Sequence, residues 1–184
     1  MTNLSNARAP VLAEEDRPGL VDLVRQVRSC TEASSDPASI ANAVADVLVA
    51  AQPTTDLLTE EECAGSPDGY IRHTLHAETD FSVVGVVWRP GQVTEVHDHL
   101  VWCTFMILQG TESETLYRFA DERLSEVGRR ERPVGSVSGT APPDDIHRVA
   151  NTGDEVAITL HVYGADLSEG TSVRRTYDLP ADAS

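Results

Sequence analysis

The chain reads Gly91-Gln-Val-Thr-Glu-Val-His97-Asp98-His99 near its centre. We interpret residues 92–100 as an extended segment, in which side chains two positions apart share a face. Both imidazoles then point one way and Asp98 points the other, with the histidine Cα atoms about 6–7 Å apart. Such a pair can supply half of a metal site, but taken alone it is equally compatible with ordinary structural or surface histidines.

The sequence around this pair predicts an all-β body. From about residue 70, short runs of β-branched and aromatic residues alternate with turn signals, which is typical of an antiparallel sandwich or barrel. The predicted strands cover residues 81–88, 101–108, 115–119, 134–138, 157–163 and 172–177. The run Arg129-Arg130-Glu131-Arg132 is interpreted as a solvated hairpin tip, and His73 and His76 as structural or exposed histidines.

The N-terminal third has a helical pattern. Residues 1–18 predict a mobile tail, and apolar residues at helical spacing follow from Leu20. Asp36 and Pro37 mark the start of a second helix, and Thr59-Glu-Glu-Glu62 has the spacing of a capping box. We therefore expect a single domain over residues 19–184, with helices in residues 19–65 packed on the β body.

Composition excludes several classes of function. The 184 residues are 40% hydrophobic, enough for one domain with a core, and the formal net charge is −16. This charge disfavours nucleic acids and anionic membranes as partners. The chain has no lysine, which excludes Schiff-base chemistry and a phosphate-loop lysine. We expect a cytoplasmic protein without a disulfide framework, a signal peptide or a membrane span, either a monomer or a small homo-oligomer.

A third histidine extends the metal hypothesis. It lies in Pro142-Pro-Asp144-Asp-Ile-His147, and Asn151 follows four residues later. Together the two segments resemble the cupin superfamily, whose motifs read G-x5-H-x-H-x3-E-x6-G and P-x-G-x2-H-x3-N. The departures are Cys103 in place of the glutamate and Asp144 in place of a glycine. The resemblance implies a double-stranded β-helix, or jelly-roll barrel, in which His97, His99 and His147 bind a metal.

Loss of the glutamate changes the expected metal chemistry. Three neutral imidazoles without a carboxylate suit iron, zinc, copper or nickel better than a hard ion such as manganese. A facial set of three ligands also leaves room on an octahedral ion for a chelating substrate and dioxygen.

A second cluster lies in Ile-Thr159-Leu-His161-Val-Tyr163. Alternation places its hydroxyl, imidazole and phenol on one face, where they could form a hydrogen-bond relay or simply be the polar side of a half-buried strand. With the three histidines, this strand resembles the thiol dioxygenases, the cupin group of cysteine dioxygenase and mercaptopropionate dioxygenase. The resemblance implies Fe(II) as cofactor and a relay that presents Tyr163 beside it.

Four further residues are informative within that group. Tyr70-Ile-Arg72 resembles the segment in which cysteine dioxygenase binds the substrate carboxylate through arginine, although an isolated arginine is often only a surface ion pair. Arg175, in Val-Arg-Arg175, is the alternative anchor that resembles the mercaptopropionate enzymes. Cys103 matches the position at which animal-type cysteine dioxygenases carry a cysteine joined to the relay tyrosine by a thioether, and a buried free cysteine is the alternative.

The resemblance implies an enzyme that adds both atoms of O₂ to the sulfur of a small thiol, with L-cysteine as the expected substrate and a sulfinate as the product. Other thiols remain alternatives, among them mercaptopropionate, as does a cysteine-oxidising cupin of a specialised pathway. So do a diketone-cleaving three-histidine dioxygenase and a cupin that binds metal or a small ligand without turnover.

Overall fold

The structure is a computed structural model that describes residues 13–143 and 145–179. Helices in these ranges are α1 (Leu20–Ala33), α2 (Pro37–Ala51) and α3 (Glu60–Cys63), with 3₁₀ turns at Glu14–Asp16 and Thr55–Leu57. The strands are β1 (Ile71–Glu78), β2 (Phe81–Trp88), β3 (Val96–His99), β4 (Cys103–Gln109), β5 (Thr111–Ala120), β6 (Arg123–Pro133), β7 (Val137–Thr140), β8 (His147–Ala150), β9 (Ala157–Tyr163) and β10 (Val173–Tyr177).

The strands form two antiparallel sheets of five strands each. The first has the order β1-β2-β9-β4-β7 and the second the order β10-β3-β8-β5-β6. Consecutive strands repeatedly pass from one sheet to the other, and residues of both sheets line one internal cavity. The predicted all-β double-stranded β-helix with a small helical cap is confirmed.

The helices cover the outer face of the first sheet. Helix α2 contacts β4 and β7, where Thr104 Oγ1 donates a hydrogen bond of 2.8 Å to the carbonyl of Ala41. Gly139 permits this close approach, because a Cβ there would lie 2.8 Å from the Ala41 oxygen. The first sheet is therefore covered on both faces, and every residue of its inner strands β2 and β9 is buried.

The predicted helix starts are confirmed. Asp36 caps α2 by accepting from the backbone N–H of Ser39, and Thr59 and Glu62 form the capping box of α3. The last part of the predicted tail packs on the domain, because Arg17 is buried and pairs with Glu62. Residues 1–12 of the predicted tail lie outside the described residues.

Two strands were missed. Strand β1 contains His73 and His76, and His76 lies against Glu14 and Glu78, away from the cavity. The prediction of a hairpin tip at residues 129–132 was wrong, since these residues belong to β6. The tip lies at Asp121 and Glu122, whose φ angles are positive. The sequence did not predict β6 because it is an edge strand with mostly exposed side chains, and its charged residues do not alternate with apolar ones.

No helix in the described ranges combines the length and apolar character needed to cross a bilayer.

Candidate active site

Three histidines converge between the two sheets. His97 and His99 lie on β3, and His147 begins β8 with its Cα paired to that of His97. Their rings are 4.8–5.1 Å apart between centroids, and one ligand nitrogen of each lies within 4.8 Å of the others. All three are buried. The structure thus brings together the three histidines that the sequence predicted as metal ligands.

Each imidazole is held through its Nδ1 atom. His97 Nδ1 lies 3.0 Å from the carbonyl of Glu95, His99 Nδ1 lies 2.9 Å from Asp145, and His147 Nδ1 lies 3.0 Å from Glu114. These partners are all acceptors, so Nδ1 carries the proton and the lone pair of Nε2 is free to bind a metal. Backbone and carboxylate partners of this kind orient ligands in metal sites.

Glu114 links the site to a half-buried cation. Its carboxylate contacts His147 on one side and Arg132 on the other, at 2.6 Å. Burial alone raises the pKa of Glu114, but the His147 hydrogen bond and the Arg132 charge outweigh it and lower that pKa to about 2. Glu114 is therefore ionised at neutral pH, which favours an electron-rich imidazole at His147.

The donor set fits a divalent transition metal. Burial and the neighbouring imidazoles lower the pKa of His97 to about 4, so this ring is a neutral ligand at physiological pH. No carboxylate joins the three-histidine cluster among the described residues. Three imidazole nitrogens suit Fe(II), zinc, copper or nickel, and they leave coordination positions open for other ligands.

The polar side chains of β9 form a hydrogen-bonded row. Thr159 Oγ1 lies 2.9 Å from His161 Nε2, and His161 Nδ1 lies 3.1 Å from the Tyr163 hydroxyl. Burial lowers the pKa of His161 to about 3 and raises that of Tyr163 well above 10, so both side chains are neutral. The row ends with the Tyr163 ring 6.2 Å from the ring of His99, between centroids.

Cys103 lies at the same end of the barrel. Its Cα is paired with that of Tyr163 across β4 and β9, and its Sγ lies 3.7 Å from His161 Nδ1. Burial raises the pKa of this thiol, which keeps it protonated. The cysteine that replaces the expected glutamate is thus beside the relay tyrosine.

A cavity of about 80 Å³ opens onto these groups. That is small beside the ~300–1,000 Å³ of sites for drug-sized ligands, so it admits only a small molecule. It is lined by the three histidines, the relay residues His161 and Tyr163, and Tyr70, Arg72, Trp88, Cys103 and Phe105.

Arg72 and Tyr70 approach this cavity from the side of the first sheet. Arg72 Nε is buried and has no hydrogen-bond partner within the described residues. Tyr70 stacks on Trp88 with ring centroids 4.3 Å apart. A half-buried arginine whose Nε has no partner, beside a small cavity, is suited to an anionic ligand group.

The alternative anchor, Arg175, does not reach the cavity. Its guanidinium lies over the rings of Phe119 and Tyr177, and it is not a lining residue. The neighbouring Arg174 pairs with Asp98, which faces away from the histidines as predicted. The prediction that Arg175 binds substrate is therefore corrected, because β10 directs the Arg175 side chain to the outer surface.

Sequence reasoning missed several supporting residues. Glu114 and Asp145 hold the histidines, and Trp88 contacts the relay at Thr159. A signal for Glu114 existed, because alternation along β5 places Glu112 and Glu114 on the same face. Asp144, the second departure from the cupin motifs, lies outside the described residues.

Together, the double-stranded β-helix and its three inward histidines define a cupin with a metal-binding site. Residues 20–175 match the family model described as "Cysteine dioxygenase type I". The chain belongs to the cysteine dioxygenase type I family.

Curated relatives support this assignment over part of their length. The chain is 31% identical to cysteine dioxygenase type 1 of Homo sapiens over 88 residues, which is 45% of this chain and 44% of the human one. The Bos taurus protein of the same name is 30% identical over the same extent. The matched segment thus spans less than half of the relatives' length.

Solved structures are similar at low identity. A Klebsiella pneumoniae protein with a double-stranded β-helix domain has a TM-score of 0.45 at 20% identity, covering 63% of this chain and 94% of its own. A cupin superfamily protein from Desulfitobacterium hafniense has a TM-score of 0.45 at 16% identity, covering 62% and 89%.

Proposed function

We propose that this chain is an Fe(II)-dependent thiol dioxygenase that converts L-cysteine to cysteine sulfinic acid. The observation that carries the proposal is one small cavity that joins three convergent imidazoles, a half-buried arginine and a protonated phenol. Family membership supports the same reaction class.

His97, His99 and His147 would hold the iron through Nε2. When bound, iron would supply the redox and Lewis-acid chemistry by which a thiol gains two oxygen atoms. The overall reaction is RSH + O₂ → RSO₂H, in which sulfur loses four electrons and both atoms of dioxygen are reduced and retained. No further oxidant or reductant is needed.

Arg72 would bind the substrate carboxylate. A guanidinium offers two parallel donors to a carboxylate and keeps its charge at any physiological pH. Tyr70 forms part of the wall on the same side through its contact with Trp88. An amino acid fixed at its carboxylate presents its amine and thiol towards the histidines, which favours cysteine over a thiol without a carboxylate.

Tyr163 would orient the reacting groups. Its phenol remains protonated because burial raises its pKa, and it lies at the histidine end of the cavity. It can therefore donate a hydrogen bond to a substrate carboxylate or to oxygen during the reaction. His161 and Thr159 hold the phenol by hydrogen bonds along β9.

The test begins with anaerobic loading of the protein with Fe(II) and measurement of bound metal. Oxygen uptake is then followed with L-cysteine, 3-mercaptopropionate, cysteamine and a β-diketone, and products are identified by mass spectrometry. We expect one O₂ consumed per cysteine and a product heavier by both oxygen atoms. A preference for 3-mercaptopropionate would show that cysteine is not the substrate. Cleavage of the diketone would contradict the proposed reaction class, and iron binding without oxygen uptake would indicate a cupin that binds metal without turnover.

A further inference from the structure

The relay on β9 has a fourth member on β2. Trp88 Nε1 lies 3.3 Å from Thr159 Oγ1, and these two residues are 3% and 0% exposed. The chain of contacts therefore runs from Trp88 through Thr159 and His161 to Tyr163. Strands β2 and β9 are paired in register with Val86 opposite Thr159, which brings the indole against the hydroxyl.

The indole determines which way the hydrogen bonds point. An indole nitrogen can only donate, so Thr159 Oγ1 must accept from Trp88. The hydroxyl proton of Thr159 then requires an acceptor of its own. Among the described residues, the acceptor within hydrogen-bond distance is His161 Nε2, at 2.9 Å.

The opposite arrangement leaves a buried group unsatisfied. If His161 Nε2 carried the proton and donated to Thr159, the threonine oxygen would accept twice and its hydroxyl hydrogen would have no partner. An unpaired buried donor is costly to folding, and donation from Trp88 further polarises the threonine hydroxyl towards the histidine. Both effects favour one direction along the row.

The tautomer of His161 follows from this direction. Burial keeps the ring neutral, with its pKa lowered to about 3, so it holds one ring proton. With Nε2 accepting from Thr159, that proton lies on Nδ1, which points to the Tyr163 oxygen at 3.1 Å and lies near Cys103 Sγ at 3.7 Å. The phenol oxygen then accepts from His161, and its own O–H is free to donate into the cavity.

We infer that Trp88 is a positioning residue that fixes the direction of the relay and thereby keeps Tyr163 as a hydrogen-bond donor towards substrate. The role of Trp88 in turnover rests on the proposed function, whereas its effect on the tautomer of His161 does not. These two claims can therefore fail separately, and each is tested by its own measurement.

The first readout is the tautomer of His161. The full chain is labelled with ¹⁵N-histidine and loaded with Zn²⁺, a diamagnetic ion that three imidazoles bind, and the His161 signals are assigned by their loss in His161→Gln. We expect the proton on Nδ1 in the wild type and a measurable population with the proton on Nε2 in Trp88→Phe. A wild-type proton on Nε2 would overturn the inference, whether or not the protein oxidises thiols.

The chain provides a matched control in its second tryptophan. Trp102 is buried against Gly164 and, among the described residues, makes no side-chain hydrogen bond to the relay, so Trp102→Phe removes the same group from the barrel without touching Thr159. We expect it to leave the His161 proton on Nδ1. A change as large as that in Trp88→Phe would mean that general loosening moves the proton, and the inference would be wrong.

The second readout is the division between kcat and KM in the iron-loaded enzyme. Trp88 also stacks on Tyr70, so a residue that only formed the cavity wall would change mainly KM. Loss of one hydrogen bond in the row is expected to lower kcat of Trp88→Phe about fivefold with little change in KM. A rise in KM at unchanged kcat, or no change in either constant, would contradict the positioning role.

Discussion

Cys103 on β4 lies directly opposite Tyr163 on β9, with their Cα atoms paired in the antiparallel register and both side chains buried. Residues that lie directly opposite each other on antiparallel strands have Cβ atoms about 4.5–5.5 Å apart. At this separation the thiol of one residue can reach the phenol ring of the other. The arrangement suits the thioether that the family resemblance implies.

We predict that aerobic turnover joins Cys103 Sγ to the Tyr163 ring. The step forms one S–C bond, breaks an S–H and an aromatic C–H bond, and transfers two electrons and two protons to dioxygen. Intact mass spectrometry should show a loss of two hydrogens that Cys103→Ala abolishes and Cys30→Ala preserves. An unchanged mass after prolonged turnover would contradict the cross-link and leave the dioxygenase proposal intact.

Metal binding should depend on His147 and on the carboxylate behind it. His147→Ala removes one of three ligands, and we expect iron and activity to be lost together. Glu114→Gln retains an acceptor for His147 but loses the charge, so metal affinity should fall by about tenfold. Competition with a metal-binding dye measures both effects.

The control for Glu114 is Glu131→Gln. Glu131 is exposed on β6 and accepts a hydrogen bond from Ser113 on the opposite face of the sheet from Glu114. The same change of charge there should leave metal affinity unaltered. Stoichiometric iron in His147→Ala would place the third ligand elsewhere in the protein.

Arg72 should discriminate substrates by their carboxylate. Removal of the cavity-lining guanidinium in Arg72→Ala is expected to raise KM for L-cysteine on the order of 100-fold, since a charge-assisted pair is lost. Oxygen uptake with cysteamine, which has no carboxylate, should change little. Arg175→Ala is the matched control, because Arg175 lies over Phe119 and Tyr177 outside the cavity.

Patterns of short period made most of the strands predictable, whereas the three metal ligands were identified from the resemblance of two segments to the cupin motifs. Alternation over residues 157–163 identified β9 and its relay face, and the spacing from Gly91 to Gly110 matches turns in which both glycines have positive φ. Asp36 and Thr59 predicted the starts of their helices, because each caps its helix by a hydrogen bond from a backbone N–H a few residues away.

The remaining features depend on contacts that local patterns do not encode. Glu114 reaches His147 across 33 positions, Asp145 reaches His99 across 46, and Trp88 reaches Thr159 across 71. Residues 129–132 were misjudged because an exposed edge strand needs no apolar alternation. The direction of Arg175 also depended on β10, whose pairing with β3 contains a bulge between Val173 and Arg175.

Glu112 should make the protein less stable as the pH rises. This carboxyl group is 1% exposed and neither of its oxygens has a hydrogen-bond partner among the described residues. Burial, reinforced by the charge of Glu114, raises its pKa to about 8. Between its ordinary pKa and about 8, the unfolded chain ionises at this position while the folded chain keeps the proton, so the unfolded state gains stability with each step in pH.

Glu112→Gln removes this ionisation, and its benefit should therefore grow with pH. We expect little difference from the wild type at pH 5 and a gain of roughly 3–5 kcal/mol in the free energy of unfolding at pH 8, measured by urea denaturation. The exposed residue Glu155 supplies the control, since Glu155→Gln changes the same charge without burial. Equal effects of the two substitutions, or a gain at pH 5 as large as that at pH 8, would show that Glu112 is not protonated in the folded protein.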